Sequence, residues 1–402
     1  MRLLTRGITA AVLLVTSMTA IPSTSGSAHA SPAPSPGPTR ATPAPLYRSA
    51  RAVPGEYIVT VQRNLDPAAM VKRFGVKPLF TYTKVMRGFA AQLNAAQLEM
   101  VRGTAGIQAV EQNATVAADD LGGGRTPREV AASWGLDRID QRALPLDHQF
   151  TTVGKGQGTT AYILDTGIDY SHSQFGGRAV FGFDAIGDGR NGQDCQGHGT
   201  HVAGTVGGAT YGVAPQTTLV SVRVLGCDGS GSWAGVVAGF DWVANNAKQP
   251  AVLNASLGGS YSPVVNQAAT ALSDSGVLPV VAAGNSSADA CNYSPASAEN
   301  VTAVGATDQS DSQTSFSNFG QCVSLYAPGK GIVSAKLGGG SIAMDGTSMA
   351  SPHVAGVALL YKAQHPTASS TEVNNWLDTV ATQNTLKVTQ GSPNRLLFTD
   401  GL

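Results

Sequence analysis

The chain has 402 residues, of which only 13% are charged and 48 are glycine, and 26 Lys and Arg balance 26 Asp and Glu. That length leaves room for more than one domain around a sizeable core. No run of about twenty apolar residues follows the N-terminal region, which excludes a membrane span. No basic stripe with interleaved aromatic residues occurs, which excludes a nucleic-acid binder. Neutrality conceals a split: Lys and Arg exceed Asp and Glu by 5 in residues 1–53 and by 3 in 54–118, and fall 8 short in 119–402. A small basic piece and a large acidic one can attract each other.

Residues 1–30 read as a secretory signal peptide. Arg2 and Arg6 precede an apolar run from Ile8 to Val15, and Ala28-His29-Ala30 supplies the exit, so cleavage after Ala30 and a secreted, extracellular product are expected. Residues 31–53, rich in Pro, Ala and Ser, read as an extended linker. Residues 54–118 read as a compact α+β unit, with strands at 56–61, 85–93 and 107–112 and helices at 67–74 and 94–102. The polar stretch 119–128 has the character of a processed junction. Cleavage is expected near Ala118, with a mature start as late as Pro127.

In residues 119–402, apolar runs at 160–164, 219–224, 251–255, 277–282 and 301–304 alternate with helical stretches at 201–207, 233–246, 263–275 and 351–364. Apolar runs without polar alternation are strands buried on both faces. This predicts a doubly wound α/β domain, a mainly parallel sheet with helices on both faces. The last expected element, 395–399, lies close to Leu402, so no accessory domain is expected to follow.

In such sheets functional groups collect at the carboxyl ends of strands. Asp165 follows the strand residues 161–164. Asn285 follows 280–283 and Gly284, and Ser256-Leu257-Gly258 follows 252–254. His198 opens a helix at Gly197-His198-Gly199-Thr200. In residues 346–356, Pro352 places a helix start just ahead of itself, with Ser348 where helix N–H groups point outward. Peptide hydrolysis needs a nucleophile, a base and an acid that orients the base. Ser348, His198 and Asp165 are the candidates, with the Asn285 amide and the Ser348 N–H as oxyanion donors.

Each residue alone has a plainer reading. Asp165 can cap the Thr166-Gly167 turn. His198 and His201 stand three apart as metal ligands do, but H-E-x-x-H is absent. Ala350 replaces the last glycine of G-x-S-x-G, which argues against a serine esterase built on that elbow. Cys195, Cys227, Cys291 and Cys322 form no C-x-x-C pair; in an exported chain they favour disulfides, with three pairings open.

The stretch 346–356, with Asp165-Thr166-Gly167 and residues 197–204 in the order Asp, His, Ser, resembles the subtilisin-like serine proteases (peptidase S8 family). Residues 134–141, 223–225, 292–296 and 315–318 resemble their proteinase K-like branch. Tyr57-Ile58-Val59, Gly88-Phe89-Ala90 and Val110-Glu111-Gln112 resemble the family's inhibitory propeptide. The resemblance implies a catalytic domain over 119–402 that cuts polypeptide substrates through an acyl-enzyme, with broad specificity and an apolar or aromatic residue before the cut bond. It implies that the chain's own propeptide serves as folding chaperone and inhibitor, removed autocatalytically. It also implies a monomer with no organic cofactor.

By the same resemblance, Gly229-Ser230-Gly231 and Ser256-Leu257-Gly258 flank an extended substrate, and Gly258 with Ala282-Ala283-Gly284 walls the specificity pocket. The implied disulfides are Cys195–Cys227 and Cys291–Cys322. Structural calcium is implied at Asp137, Asp140 and Gln141 with Asp147, which offer hard oxygen ligands. A second family site uses carbonyls near Glu299 and Val301, but Ser324 stands where its carboxylate is expected. The opposing class of function is a catalytically silent binding protein of the same fold, which has no evident reason to keep all four of Asp165, His198, Ser348 and Asn285.

Overall fold

The computed structural model describes residues 42–118 and 133–402. The expected signal peptide, the first part of the linker and the processed junction lie outside the described residues.

The small N-terminal domain runs β1 (Leu46–Tyr47), β2 (Ala52–Val61), α1 (Pro67–Phe74), β3 (Pro78–Tyr82), β4 (Gly88–Gln92), α2 (Ala95–Arg102) and β5 (Ile107–Ala118). Asp66 caps α1 by accepting from the N–H groups of Ala68 and Ala69, with Pro67 in the first turn; Asn94 and Gln97 form a reciprocal capping box on α2. The helices cover one face of the sheet, burying Phe74, Phe89, Leu98, Val101 and Val110. One strand more than expected is present. The strand predicted over 85–93 is β4, and the additional strand β3 precedes it and pairs antiparallel with it. Pro78 hides β3 in the sequence, because proline is tolerated in a sheet at an edge, and β3 is the edge.

The large domain runs α3 (Trp134–Ile139), β6 (Thr160–Asp165), β7 (Ala179–Asp184), α4 (His198–Gly207), β8 (Thr218–Arg223), β9 (Ser230–Ser232), α5 (Trp233–Asn246), β10 (Ala251–Ala255), β11 (Leu257–Ser260) and α6 (Pro263–Asp274). It continues through β12 (Leu278–Ala282), β13 (Tyr293–Ser294), β14 (Thr302–Thr307), β15 (Leu325–Pro328), β16 (Ile332–Ala335) and β17 (Ser341–Met344). Helices α7 (Thr347–Gln364) and α8 (Ser370–Val380) and strands β18 (Thr382–Gln383) and β19 (Arg395–Leu396) close it. Its main sheet has the order β18-β19-β15-β14-β12-β10-β6-β8-β7, parallel throughout except where β18 meets β19.

Successive strand residues serve opposite cores. Tyr162 and Leu164 pack with α5 and α6 residues such as Phe240 and Leu272. Ala161 and Ile163 pack with α4 and α7 residues such as Val202 and Leu359. Both faces are therefore buried, as the apolar runs predicted. Helix α4 begins at His198, as the Gly197-His198-Gly199-Thr200 stretch suggested, and α7 begins at Thr347, earlier than the stretch 351–364 read as helical. Pro352 thus lies inside α7 rather than in its first turn. Disulfides join Cys195 to Cys227 and Cys291 to Cys322, closing separations of 32 and 31 residues. By loop closure each contributes roughly 3–4 kcal/mol.

The two domains share a sheet. Residues 115–117 of β5 pair with β9 and residues 117–118 with β11, both antiparallel, so the end of β5 lies between two strands of the large domain. Side chains of β5 also reach the starts of the next two helices. Asn113 Oδ1 accepts from Ala234 N at the start of α5 (2.9 Å). Glu111 accepts from Ser262 Oγ (2.5 Å) and Val264 N (3.2 Å) at the start of α6. Helix N-termini have spare N–H groups and a positive dipole end, which suits a carboxylate. In the other direction, Asp241 of α5 accepts from the backbone N–H groups of Thr83, Lys84 and Val85 (2.6–3.1 Å). Burial pushes the Glu111 carboxyl above its usual range, against its two hydrogen bonds.

Replacing Glu111 leaves two buried donors without their acceptor. In full-length protein carrying Ser348→Ala, the added change Glu111→Ala should lower the unfolding free energy by about 1–3 kcal/mol, measured by urea titration.

Candidate active site

The carboxyl ends of β6, β10 and β12 and the N-termini of α4 and α7 meet on one rim. Asp165, His198 and Ser348 are all fully buried. Asp165 Oδ1 faces His198 Nδ1 at 2.7 Å and also accepts from Thr166 N at 2.7 Å. A carboxylate in this position makes Nδ1 the protonated nitrogen and leaves Nε2 as the basic one.

Ser348 is held by Ser256. The Ser348 hydroxyl donates to the Ser256 carbonyl at 3.0 Å, and the Ser256 hydroxyl donates to the Ser348 carbonyl at 2.8 Å. The second bond follows from Pro352. In an α-helix the Ser348 carbonyl would accept from the N–H four residues on, which proline lacks. Asn254 Nδ2 donates to Ser256 Oγ (2.9 Å), and Ser351 Oγ donates to Asn254 Oδ1 (2.8 Å), so the bond closes into a ring between β10 and α7.

Asn285 Oδ1 accepts from both Thr347 N and Thr347 Oγ1 at 2.9 Å, which puts its NH2 on the opposite edge. The loop carrying it is fixed by buried Asn318, whose Oδ1 accepts from Ser286 N and Ala288 N and whose Nδ2 donates to Ala283 O. Gly284 has φ +104°, and a Cβ there would lie 2.3 Å from Asn318 Nδ2, so only glycine fits. Gly284 N donates to Thr347 Oγ1 at 3.1 Å.

The structure thus pairs Asp165 with His198, holds Ser348 against Ser256 and Asn285 against Thr347, and sets all four on the same sheet rim. Ser230 and Gly231 of β9, with Leu257 and Gly258 of β11, flank residues 115–118. Gly229 O accepts from Ala118 N at 3.0 Å. Asn254, Asn318 and Thr347 had no role in the sequence reading. Only Thr347, beside the serine, could have been suspected from position.

Two further histidines of this region are buried and neutral. His201 Nε2 donates to the carbonyls of Ile332 (3.0 Å) and Ile342 (3.1 Å), and His353 Nδ1 donates to Met349 O (2.8 Å). Burial lowers their pKa to about 3 and about 4.

The calcium expectations divide. Near Glu299, the carbonyls of Glu299 and Asn300 accept from Thr270 Oγ1 and Ser273 Oγ, and Ser324 Oγ accepts from Ala303 N. Hydroxyls satisfy these carbonyls and the serine faces an amide, so the residues present do not suit a cation. In the 137–147 loop, Asp137 Oδ2 accepts from His148 N, Asp140 Oδ2 from Thr151 N and Gln141 Oε1 from Asp147 N. Asp137 Oδ1 is buried with no hydrogen-bond partner. Burial raises the Asp137 carboxyl, and the Asp147 charge adds to that. Such an oxygen suits a hard cation, although no group of three or more His, Cys, Asp or Glu poised for a metal occurs among the described residues.

Residues 156–399 match the Subtilase family, peptidase S8. The chain belongs to the subtilase family. Residues 56–119 match the peptidase inhibitor I9 family, which covers the small domain. An alkaline serine exoprotease A of Vibrio alginolyticus is 44% identical over 85% of this subtilase, which spans 64% of that relative's length. An extracellular serine proteinase of Thermus sp. is 43% identical over 87% of this chain and 90% of its own. A cold-adapted subtilisin-like serine proteinase of known structure matches with TM-score 0.66 and 50% identity, over 67% of this chain and 99% of its own. The subtilisin-like α/β fold expected from the sequence is thus the fold of a serine protease family.

Two outcomes follow from this geometry. Ser256→Ala strands the buried Ser348 carbonyl and should cost about 1–3 kcal/mol of stability, measured by calorimetry. His201 and His353 are neutral when folded but take up protons near pH 6.5 when unfolded. Stability is therefore complete above about pH 6.5 and falls as the pH drops toward 4, by up to about 1.4 kcal/mol per unit for each histidine. His353→Leu should flatten that slope in acid-unfolding curves.

Proposed function

We propose that this subtilase is a secreted serine endopeptidase that matures by cutting off its own I9 domain. The observation that carries the reading is the 2.7 Å contact between Asp165 and His198 on the rim that holds Ser348, beside a slot filled by the chain's own β5. Ser348 attacks the scissile carbonyl. His198 takes its proton and returns it to the leaving amine, while Asp165 holds the imidazole tautomer and stabilises the imidazolium. The Asn285 NH2 and the Ser348 N–H, the latter at the positive end of α7, hold the oxyanion.

Substrates enter as an extended strand between Gly229–Gly231 and Ser256–Gly258, in the manner of strand addition. The small residues Gly258, Ala282, Ala283 and Gly284 leave room for an apolar or aromatic side chain before the cut bond. The domain plan is a signal peptide over 1–30, a linker over 31–53, an inhibitory propeptide over 54–118 and a catalytic domain over 119–402. The precursor is cut between 118 and 127, and the propeptide acts as folding chaperone and inhibitor. The mature enzyme is monomeric, needs no organic cofactor, and acts on polypeptides rather than on nucleic acid or at a membrane. No helix among the described residues is long and apolar enough to cross a membrane. A structural calcium at the 137–147 loop satisfies Asp137 Oδ1.

Intact mass and N-terminal sequence of the secreted product test this, comparing wild type with Ser348→Ala. Wild type should lose residues up to a point within 118–127 while the variant keeps them. Identical trimming of both would overturn self-processing. Asn285→Ala should lower kcat by about 10²–10³-fold with little change in KM. EDTA should lower the Tm of wild type but not of Asp137→Asn.

A further inference from the structure

Where β6 ends and α4 begins, two adjacent residues of each element face one another. The first pair is Asp165 and His198. In the second pair, Gly199 N donates to Thr166 Oγ1 at 2.9 Å, and that hydroxyl donates onward to Asp194 Oδ1 at 2.9 Å. Asp194 is buried. Its Oδ1 also accepts from Gln196 N and Gly197 N at 2.9 Å, and its Oδ2 from Thr200 N (2.9 Å) and Thr200 Oγ1 (2.6 Å). One carboxylate thus collects five donors, four from the turn into α4 and its first turn and one from the residue after Asp165.

The arrangement differs from an ordinary helix cap. The N-cap position of α4 is Gly197, at φ +111° and without a side chain. Asp194, three residues upstream, takes over the cap while also reaching a different element. The backbones there are in close contact. A Cβ on Gly199 would lie 2.2 Å from Gly167 O, and one on Gly167 2.7 Å from Asp194 N. Asp194 is also fixed from behind, since Cys195 is joined to Cys227.

The charged and titratable groups on the elements packed here are otherwise engaged. Arg223 Nε donates to Thr166 O (3.1 Å), while its Nη groups hold Asp184 and Asp188. Asp169 accepts from Ser171 and Gly338 N, and His201 is neutral.

We propose that Asp194 is a positioning residue that, acting through Thr166, sets α4 against the end of β6 so that His198 meets Asp165. The inference depends on reading Asp165, His198 and Ser348 as a triad.

The test uses wild type, Asp194→Asn, Thr166→Val and Thr166→Ser as secreted, each titrated for competent sites with a peptide chloromethyl ketone. A peptide p-nitroanilide reports kcat and KM across pH. Thr166→Val removes both hydroxyl bonds but keeps the cap, and should lower kcat per titrated site about 10–100-fold, a misplacement effect. Its KM should stay within about twofold, and Thr166→Ser should restore kcat to within about threefold. Asp194→Asn weakens the acceptor shared by Thr166 and the turn into α4 and should lower kcat per titrated site at least as far as Thr166→Val does. Unchanged kcat per site in Thr166→Val overturns the proposal, as does a Thr166→Ser variant no more active per site than Thr166→Val. If Asp194→Asn yields no folded protein, the Thr166 pair decides by the same kcat comparison. Failure of the triad reading is separate: wild type would then be no more active than Ser348→Ala.

Discussion

Two serines exchange hydroxyls for carbonyls across the middle of this molecule, and the rim is built on that exchange. Pro352 interrupts the hydrogen-bond ladder of α7 and leaves the Ser348 carbonyl to find a donor elsewhere. Ser256 supplies it from the end of β10, and its own carbonyl accepts the Ser348 hydroxyl. A defect in one element thus becomes the joint to another, with Asn254 and Ser351 closing the ring. Since neither carbonyl nor hydroxyl can reach water, breaking one bond strands a buried polar group. That penalty keeps the helix start in one place.

The same logic, with opposite partners, holds the I9 domain. Ser232 and Ser262 each cap their helix at one N–H, of Gly235 and Val265. Asn113 and Glu111 take a neighbouring N–H on each helix. The small domain carries net positive charge and the large domain net negative, yet here the small domain contributes the carboxylate. Local helix dipoles direct this contact, and whole-domain charge governs only the approach.

Much of this was legible in the sequence. Asp165, His198, Asn285 and Ser348 could be found because each ends or opens an element whose type the apolar pattern predicts, and the carboxyl rim of a parallel sheet collects such residues. The supporting residues were not. Asn254, Asn318 and Asp194 are short polar residues in a chain rich in them. What distinguishes them is which distant backbone groups they meet, and no spacing encodes that. The extra strand β3 was hidden by its proline and its edge position. The start of α7 was misjudged because Ser256, ninety-two residues away, makes good the hydrogen bond that proline removes.

The slot between β9 and β11 holds the end of β5 by its peptide groups on both sides at once. A segment already folded into a helix has those groups engaged, and one within a sheet has neighbours along its edges. Neither can be seated without first coming undone. If substrates take the place of β5, as proposed, entry is gated by how readily a target protein frays. The cleft would then act as a sensor of local unfolding, sparing compact proteins and consuming those that have begun to lose their shape.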